Sequence, residues 1–441
     1  MKDRHGGVAE EFGLMADERD GRQASERGSG KHESGKRESG KRGRGGAVGG
    51  PEHVLTEDLY QFERLLTPDE AAVLLRVREF LAQEVAPHAN DWWGRASFPR
   101  ELIPKYAELS IAGLPYEECH PGGVRSLLTG FIALEMARVD PSMATFYGVH
   151  SGLAMGSIAH CGSDEQRQRW LPAMGRMEQI GAFALTEPQG GSDVALGLHT
   201  TARRDGDEWV INGSKRWIGN ATFADLIVVW ARNEEDDSVL GFVVSKDNPG
   251  FQAKRIENKM ALRTVENADV EFADCRVPEA DRLQGAHGFR DTADVLRHTR
   301  SGVAWEAVGV MLAAYRIALD YTLERRQFGG PVARFQLIQD LLVRMLGNAT
   351  SCLGMVVRLA ELEDSGIYRD EHSALAKAYC TSRMRETVGW GRELLAGNGI
   401  LLDYSIGRYV ADAEALYSYE GTREINTLIV GRAATGIGAF V

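Results

Sequence analysis

The spacing of apolar positions divides the chain into a helical, a strand-rich and a second helical part. The first part opens with a capping box at residues 67–70, and apolar residues then recur at helical spacing from Val73 to Leu81. Similar patterns, mostly separated by glycine or proline, predict further helices over residues 99–109, 127–137, 141–161 and 164–174. This part is therefore predicted to be all-α.

Short runs of β-branched and aromatic residues follow in the middle of the chain. Bounded by turn residues, they predict strands at residues 224–230, 240–244 and 270–272. Within residues 209–218 the pair Asn212-Gly213 is the strongest short-range signal for a hairpin turn. Together these patterns predict a small β-barrel-like or sandwich domain.

The pattern returns to helical spacing from about Asp291. Residues 335–362 predict one long helix with an apolar stripe at every fourth residue, and residues 371–395 predict another. A last helix is predicted to begin after Thr422. The predicted fold class is therefore mainly α with a central β domain.

These patterns divide the chain into a tail and three domains. The predicted parts are a disordered tail, an N-terminal α-helical domain, a middle β domain and a C-terminal α-helical domain, over residues 1–56, 57–180, 181–290 and 291–441. The tail is rich in Gly, Ser, Lys, Arg and Glu and repeats Glu-Ser-Gly-Lys-Arg, so it offers little to bury. It lacks the apolar segment of a signal peptide, and its interspersed acids are unlike a transit peptide.

Composition narrows the classes of function. A net charge of −12 argues against bulk affinity for nucleic acid or an anionic membrane, and no apolar run approaches the roughly 20 residues of a membrane helix. The five cysteines are far apart and form no pair or cluster with metal-ligand spacing, so no metal site is predicted. Such cysteine usage is typical of a reducing cytoplasm, which is the predicted location.

The stretch with the most chemical content lies at the start of the middle domain. The loop Leu185–Asp193 combines proline, paired glycines and hydroxyl groups, so its backbone can approach a large anionic or ring-shaped ligand. Further on, Trp217 stands beside Gly219, where a flat ring can stack on the indole. Taken singly, these features are equally typical of a β-turn and a core tryptophan.

These motifs occur in order with three others: Arg326–Gly329, Gly397–Gly399 and Tyr419–Thr422. In that order and spacing they resemble the acyl-CoA dehydrogenase and oxidase superfamily over residues 57–441, with glutaryl-CoA dehydrogenase and plant short-chain acyl-CoA oxidase as the most similar members. The resemblance implies an α-helical N-terminal domain, a β-barrel middle domain and an α-helical C-terminal bundle. It also implies bound FAD and a homotetramer, because the family's cofactor site uses groups from two subunits.

The resemblance also assigns roles to single residues. Glu420 matches the catalytic base, and Thr299 matches the position where other members carry that base, although a threonine cannot serve as one. The implied substrate contacts are Ser192, Thr299, Arg300 and Gly421. The implied FAD contacts are Leu185, Thr186, Ser192, Trp217, Ile218, Gly219 and Thr422, with Arg326, Phe328, Gln336 and Gly397 reaching the cofactor of a neighbouring subunit.

Two positions depart from the family pattern. Ala144 stands where the glutaryl enzyme has an arginine for the distal carboxylate of its substrate, which disfavours glutaryl-CoA because that carboxylate is left unpaired. Gly219 stands where many dehydrogenases have a threonine, and a glycine there opens space over the flavin. That space favours direct reaction with oxygen, unless the glycine only serves a tight turn.

The expected function is FAD-dependent α,β-dehydrogenation of a short, uncharged acyl-CoA to the 2-enoyl-CoA. The expected electron acceptor is an electron-transfer flavoprotein. Three alternatives stay open from the sequence: an acyl-CoA oxidase that passes electrons to oxygen, an enzyme acting on a carrier-protein thioester, and a flavin-free carrier-binding protein on the same fold.

Overall fold

The structure is a computed structural model that describes residues 57–195 and 197–439. The predicted disordered tail, residues 1–56, lies outside the described residues. The described residues belong to one compact unit, in which the order helical, sheet, helical is that predicted from the sequence. The finer boundaries at 180 and 290 stay a prediction.

The N-terminal helices follow the predicted pattern closely. The capping box is present: Glu70 N donates to Thr67 Oγ1 at 3.3 Å and Thr67 N donates to Glu70 Oε2 at 2.8 Å. The helices are α1 (Pro68–Phe80), α2 (Ala89–Arg95), α3 (Ile103–Glu108), α4 (Ser126–Val139), α5 (Pro141–Tyr147), α6 (Gly156–Cys161) and α7 (Asp164–Gly175).

The predicted helix over 141–161 is continuous but not uniform. A π-helical segment, Gly148–Met155, joins α5 to α6. Such widened turns are rare, and they occur frequently at functional sites. Here the segment packs against the first strand of the sheet and contributes to the wall of the large cavity described below.

The middle of the chain forms a seven-stranded mixed sheet. Strand β4 pairs in parallel with β1 and β2, and the other neighbours are antiparallel. Strands β1, β2 and β6 were not among the predicted runs, while β4, β5 and β7 contain or overlap them. The strands are β1 (Gly181–Ala184), β2 (Thr201–Asp205), β3 (Glu208–Gly219), β4 (Leu226–Asn233), β5 (Val239–Ser245), β6 (Phe251–Arg255) and β7 (Asn267–Pro278).

The predicted hairpin turn at Asn212-Gly213 is wrong. Strand β3 runs through this pair without reversing, and the turn that joins β2 to β3 lies at Gly206-Asp207. Gly213 has φ of 147° beside a register shift, and a Cβ there would lie 2.6 Å from the Cα of Thr200. The glycine therefore permits a close approach of two backbones, which a local turn signal cannot distinguish from a turn.

The C-terminal part is a helical bundle. A two-stranded ladder, β8 (Arg326–Gln327) with β9 (Gly330–Pro331), follows its first helix. The apolar stripe of α9 is buried from Met345 to Val357, but Leu337 is 81% exposed. The helices are α8 (Phe289–Glu324), α9 (Gln336–Asp364), α10 (Asp370–Leu394), α11 (Ile406–Ser418) and α12 (Arg423–Thr435).

Helix α8 runs through the core of the unit. Its Trp305 packs on Phe131 of α4, with ring centroids 5.1 Å apart, and fills the place where a Cβ of Gly130 would stand. Among the described residues, α8 and α9 are long and apolar enough to cross a membrane, but 72% of the most apolar stretch of α8 is buried inside the protein. The core helix of a soluble protein has the same length and hydropathy, so these two properties do not support a membrane span for α8.

Candidate functional site

One large cavity, of about 1650 Å³, lies where the sheet meets the helices. Its walls include the loop after β1, the end of β3, the π-helical segment and the middle of α8. The segment between α11 and α12 completes it. Pockets for one drug-sized ligand measure about 300–1,000 Å³, so this cavity can hold more than one such ligand.

The cavity brings together most of the residues singled out in the sequence. Those that line it are Leu185, Thr186, Ser192, Trp217, Ile218, Gly219, Thr299, Arg300, Glu420, Gly421 and Thr422. Four others are exposed on the same chain and do not line it: Arg326, Phe328, Gln336 and Gly397. Those four were assigned to the cofactor of a neighbouring subunit, and that assignment stays a prediction.

Glu420 stands on a sharp turn between two helices. It has φ of 54° and Gly421 has φ of 78°, two consecutive left-handed residues between the end of α11 and the start of α12. Left-handed backbone is uncommon for a residue other than glycine and is found preferentially at functional sites. Thr422 then caps α12, accepting a hydrogen bond from Ile425 N at 3.2 Å.

The Glu420 carboxylate is held from α8. Its Oε2 accepts a hydrogen bond from Thr299 Oγ1 at 2.8 Å, a contact between residues 121 positions apart. Burial raises the pKa of Glu420, and the Thr299 hydroxyl and the charges of Arg300 and Lys377 partly oppose that rise. A carboxylate in such a site is more basic than one in water.

A buried lysine, not predicted from the sequence, fixes this turn. Lys377 Nζ donates to the carbonyl oxygens of Tyr417 and Gly421, each at 2.8 Å, on either side of Glu420. Burial lowers the pKa of Lys377 to about 8, while the nearby Glu420 carboxylate acts in the opposite direction. The lysine stands on α10, so the C-terminal bundle sets the position of the turn.

The loop after β1 is anchored by a buried ion pair. Lys215 Nζ lies 2.9 Å from Glu187 Oε1 and donates to the Leu185 carbonyl oxygen at 3.0 Å. The Glu187 carboxylate also accepts from the backbone N–H groups of His199 and Thr200, at 2.7 and 2.9 Å. Burial lowers the pKa of Lys215 to about 8. Glu187 belongs to the loop Leu185–Asp193 and Lys215 precedes Trp217, but the sequence assigned no role to either residue.

Trp217 and its neighbours suit a flat ring. Trp217 has φ of 66°, is 51% exposed and lines the cavity, and the Arg216 guanidinium lies 5.0 Å from its ring centroid. A Cβ at Gly219 would lie 3.1 Å from Val149 Cγ2, so the π-helical segment closely borders this glycine. The open space over the flavin at Gly219 stays a prediction.

A second carboxyl, missed from the sequence, lines the same cavity. Glu306 lies two helical turns beyond Thr299 on α8, and its Oε2 accepts from Tyr419 Oη at 2.7 Å. Burial raises the pKa of Glu306 to about 7, and the Tyr419 hydroxyl opposes that rise. Ala144, the departure noted above, lines the same cavity. A lone acid in the apolar run 303–310 was the available sequence signal.

Two stacked histidines form another part of the wall. His160 stacks on His298 with ring centroids 4.9 Å apart, and His298 Nδ1 lies 2.8 Å from Glu363 Oε1. Burial and the neighbouring His298 lower the pKa of His160 to about 4. These residues were not predicted, because their elements are far apart in the sequence.

Three domain families match the chain in order. They are the acyl-CoA dehydrogenase N-terminal, middle and C-terminal domains, matching residues 67–178, 182–275 and 286–435. Together they cover most of the part of the chain that the structure describes.

Individual proteins and solved structures similar to this chain indicate the same family. The mitochondrial short-chain specific acyl-CoA dehydrogenase of Rattus norvegicus is 32% identical over 358 residues, covering 80% of this chain and 87% of the relative. A glutaryl-CoA dehydrogenase from Mycobacterium smegmatis in complex with FADH2 is 33% identical, covers 87% of this chain and 98% of that chain, and superposes with a TM-score of 0.84. A solved chain described as an electron transferring flavoprotein of Acidaminococcus fermentans is 29% identical, covers 84% and 98%, and has a TM-score of 0.80.

The helical, sheet, helical fold, its deep cavity and the three matching domain families together identify a flavin-dependent dehydrogenase. The chain belongs to the acyl-CoA dehydrogenase family. It is an enzyme, its cofactor is FAD, and its middle sheet is curled as the family fold requires. The predicted resemblance, fold class and cofactor are confirmed, and the flavin-free alternative is set aside.

Proposed function

We propose that this enzyme dehydrogenates a short, uncharged acyl-CoA between Cα and Cβ, with Glu420 as the catalytic base. The observation that carries the proposal is the Glu420 carboxylate inside the cavity, hydrogen-bonded by Thr299 at 2.8 Å. Its pKa is raised by burial, which suits the removal of a weakly acidic α-proton.

Glu420 and the residues around it have separate roles in the proposed reaction. Glu420 takes the α-proton, and the Thr299 hydroxyl orients the carboxylate by donating to Oε2. Arg300 is buried next to this pair, and its positive charge favours the ionised form of the base. Bound FAD supplies the acceptor for the hydride that leaves the β-carbon. The loop Leu185–Asp193 and Trp217 hold that cofactor in the proposal.

The choice of a short, uncharged acyl group rests on the polar groups of the cavity wall. Ala144 provides no cation for a distal carboxylate, and Glu306 would repel one. The rat relative, 32% identical, is specific for short chains. We therefore place short acyl-CoA ahead of glutaryl-CoA, although a glutaryl-CoA dehydrogenase is among the similar structures.

The proposed electron acceptor is an electron-transfer flavoprotein. The similarity to a solved chain described by that name supports this choice. A second candidate is oxygen, which the glycine at 219 favours. The Val149 side chain closely borders Gly219, and this contact favours the flavoprotein over oxygen.

We also propose a homotetramer in the cytoplasm. Support for subunit contacts comes from exposed apolar side chains in the C-terminal part, where Phe328, Leu337 and Val343 are 88%, 81% and 69% exposed. The cytoplasmic location and the absence of nucleic-acid and membrane partners stay predictions from composition.

An anaerobic panel of acyl-CoAs tests the proposal. Short saturated acyl-CoAs should bleach the flavin of the purified enzyme faster than glutaryl-CoA. Subsequent mixing with an electron-transfer flavoprotein should reoxidise it faster than air does. If no acyl-CoA reduces the flavin, the proposed reaction is wrong; if air reoxidises it faster, the enzyme is an oxidase.

A further inference from the structure

Glu306 has one carboxyl oxygen without a partner in the cavity wall. The side chain is only 6% exposed, and Oε2 is taken by the Tyr419 hydroxyl at 2.7 Å. For Oε1 the described residues provide no hydrogen-bond donor. An ideal Cβ at Gly148 would lie 3.6 Å from Oε1, so a glycine borders this oxygen where any other residue would add a side chain.

Two other hydroxyl groups of the cavity wall donate their protons elsewhere. Thr145 Oγ1 donates to the Pro141 carbonyl oxygen at 2.9 Å, and Tyr147 Oη donates to the Ile111 carbonyl oxygen at 3.1 Å. Both residues line the same cavity as Glu306. A hydroxyl has a single proton, so neither can also donate to Oε1.

Cations do not satisfy this carboxyl either. Among the described residues, no lysine or arginine forms an ion pair with Glu306, and the nearby charged group that acts on it is another acid, Glu420. Oε1 is not among the fully buried polar atoms of the described residues that lack a partner, and Glu306 lines the cavity. This oxygen is therefore open to a hydrogen-bond donor that enters the cavity.

We infer that Glu306 is a specificity-determining residue that accepts a hydrogen bond from an uncharged donor substituent, a hydroxyl group, on the acyl chain of the substrate. This inference rests on the proposed function, because it places an acyl chain in the cavity with its α-carbon at Glu420. The substrate class is then an acyl thioester that is polar at its far end.

The position of Glu306 indicates where the donor should lie. Thr299, which holds the base, and Glu306 are seven residues apart on α8, a rise of about 10 Å along the helix. Side chains on a helix lean toward its N-terminus, which shortens the distance from the Glu306 carboxyl to Thr299. The donor therefore belongs near the far end of a short acyl chain.

Matched pairs of substrates test the inference. Each ω-hydroxyacyl-CoA is compared with the unsubstituted acyl-CoA of the same length, as kcat/KM for anaerobic flavin reduction. The wild-type enzyme should prefer the hydroxyl-bearing chain by about tenfold, the typical effect of one hydrogen bond to a charged or buried partner.

Substitutions of Glu306 test whether its carboxyl causes this substrate preference. Glu306→Leu should reverse the preference in favour of the unsubstituted chain, and Glu306→Gln, which keeps an acceptor oxygen, should retain part of it. Glu363→Gln removes a different carboxyl of the cavity wall, paired with His298, and should change both substrates by the same factor.

Two outcomes would overturn the inference while leaving the proposed function intact. One is a wild-type enzyme that reduces its flavin equally fast, or faster, with the unsubstituted chain; this measurement needs no variant to fold. The other is an unchanged ratio of the two substrates in Glu306→Leu. Failure of every acyl-CoA to bleach the flavin would instead count against the proposed function itself.

Discussion

Removal of the Thr299 hydroxyl should shift the pH dependence of flavin reduction. The hydroxyl donates to Glu420 Oε2 at 2.8 Å and thereby opposes the rise that burial causes in the pKa of this carboxyl. A hydrogen bond to a charged group is worth about 1.5–3 kcal/mol, and about 1.36 kcal/mol changes a pKa by one. Thr299→Val should therefore raise the pKa of Glu420 by about one to two.

The sign of the effect follows from the form of Glu420 that reacts. Only the ionised carboxylate accepts the α-proton, so flavin reduction falls as pH drops through the pKa. A higher pKa moves this acid limb to higher pH. At a pH on the limb, flavin reduction in Thr299→Val should be slower by about tenfold for each increase of one in the pKa. On the alkaline plateau the variant should regain rates near those of the wild type, because Glu420 is fully ionised in both enzymes there.

Stopped-flow bleaching of the flavin by a short acyl-CoA, without oxygen and over a range of pH, measures both quantities. Thr299→Ser keeps the hydroxyl and should leave the acid limb in place. Glu420→Gln removes the base and should lose about 10²–10⁴-fold on the alkaline plateau, with no acid limb from this carboxyl. An acid limb that stays fixed, or moves to lower pH, in Thr299→Val would refute the reasoning, as would near-normal reduction in Glu420→Gln.

Three further predictions concern the cavity wall. Lys215→Met leaves the buried Glu187 carboxylate without its cation, at a cost of about 3–5 kcal/mol, and should lower both the melting temperature and the FAD content. As a control, Lys246→Met removes a half-exposed lysine and should lower neither. Equal FAD content in the two variants would contradict the anchoring role of the Lys215–Glu187 pair. Gly219→Thr should destabilise the protein by about 1–3 kcal/mol through contact with Val149, and Val149→Ala in the same chain should recover most of the melting temperature; additive losses in the double variant would rule out that contact. Ala144→Arg should raise kcat/KM for glutaryl-CoA relative to butyryl-CoA, and an unchanged ratio would show that residue 144 does not face the distal carboxylate.

The order of elements could be predicted because its signals are local. The capping box at residues 67–70 and the cap at Thr422 depend only on neighbouring residues, and both are present in the structure. The hairpin turn predicted at Asn212-Gly213 is absent because the contact that matters there is not local. The backbone that approaches Gly213 belongs to Thr200, on the far side of another turn, and a pair pattern carries no information about it.

The site could be predicted only in part for the same reason. The resemblance identified Glu420 and Thr299 separately, but their hydrogen bond joins residues 121 positions apart and appears only in the folded chain. The Lys377 contacts that fix the turn likewise cross from one helix to a distant loop. Glu306 was visible in the sequence as an acid among apolar residues, yet its role depends on the neighbours that the fold supplies.

Two consecutive residues of the turn, Tyr419 and Glu420, are held by two side chains on one face of a single helix. In the proposed arrangement, Thr299 positions the base at the reacting carbon, and Glu306 contacts the end of the acyl chain. Side chains on one face of a helix recur only about once per turn, every 5.4 Å or so. Chain-length selectivity in this enzyme should consequently change in jumps, for example when the acid is moved by one turn to position 303 or 310, and not by small adjustments of the wall.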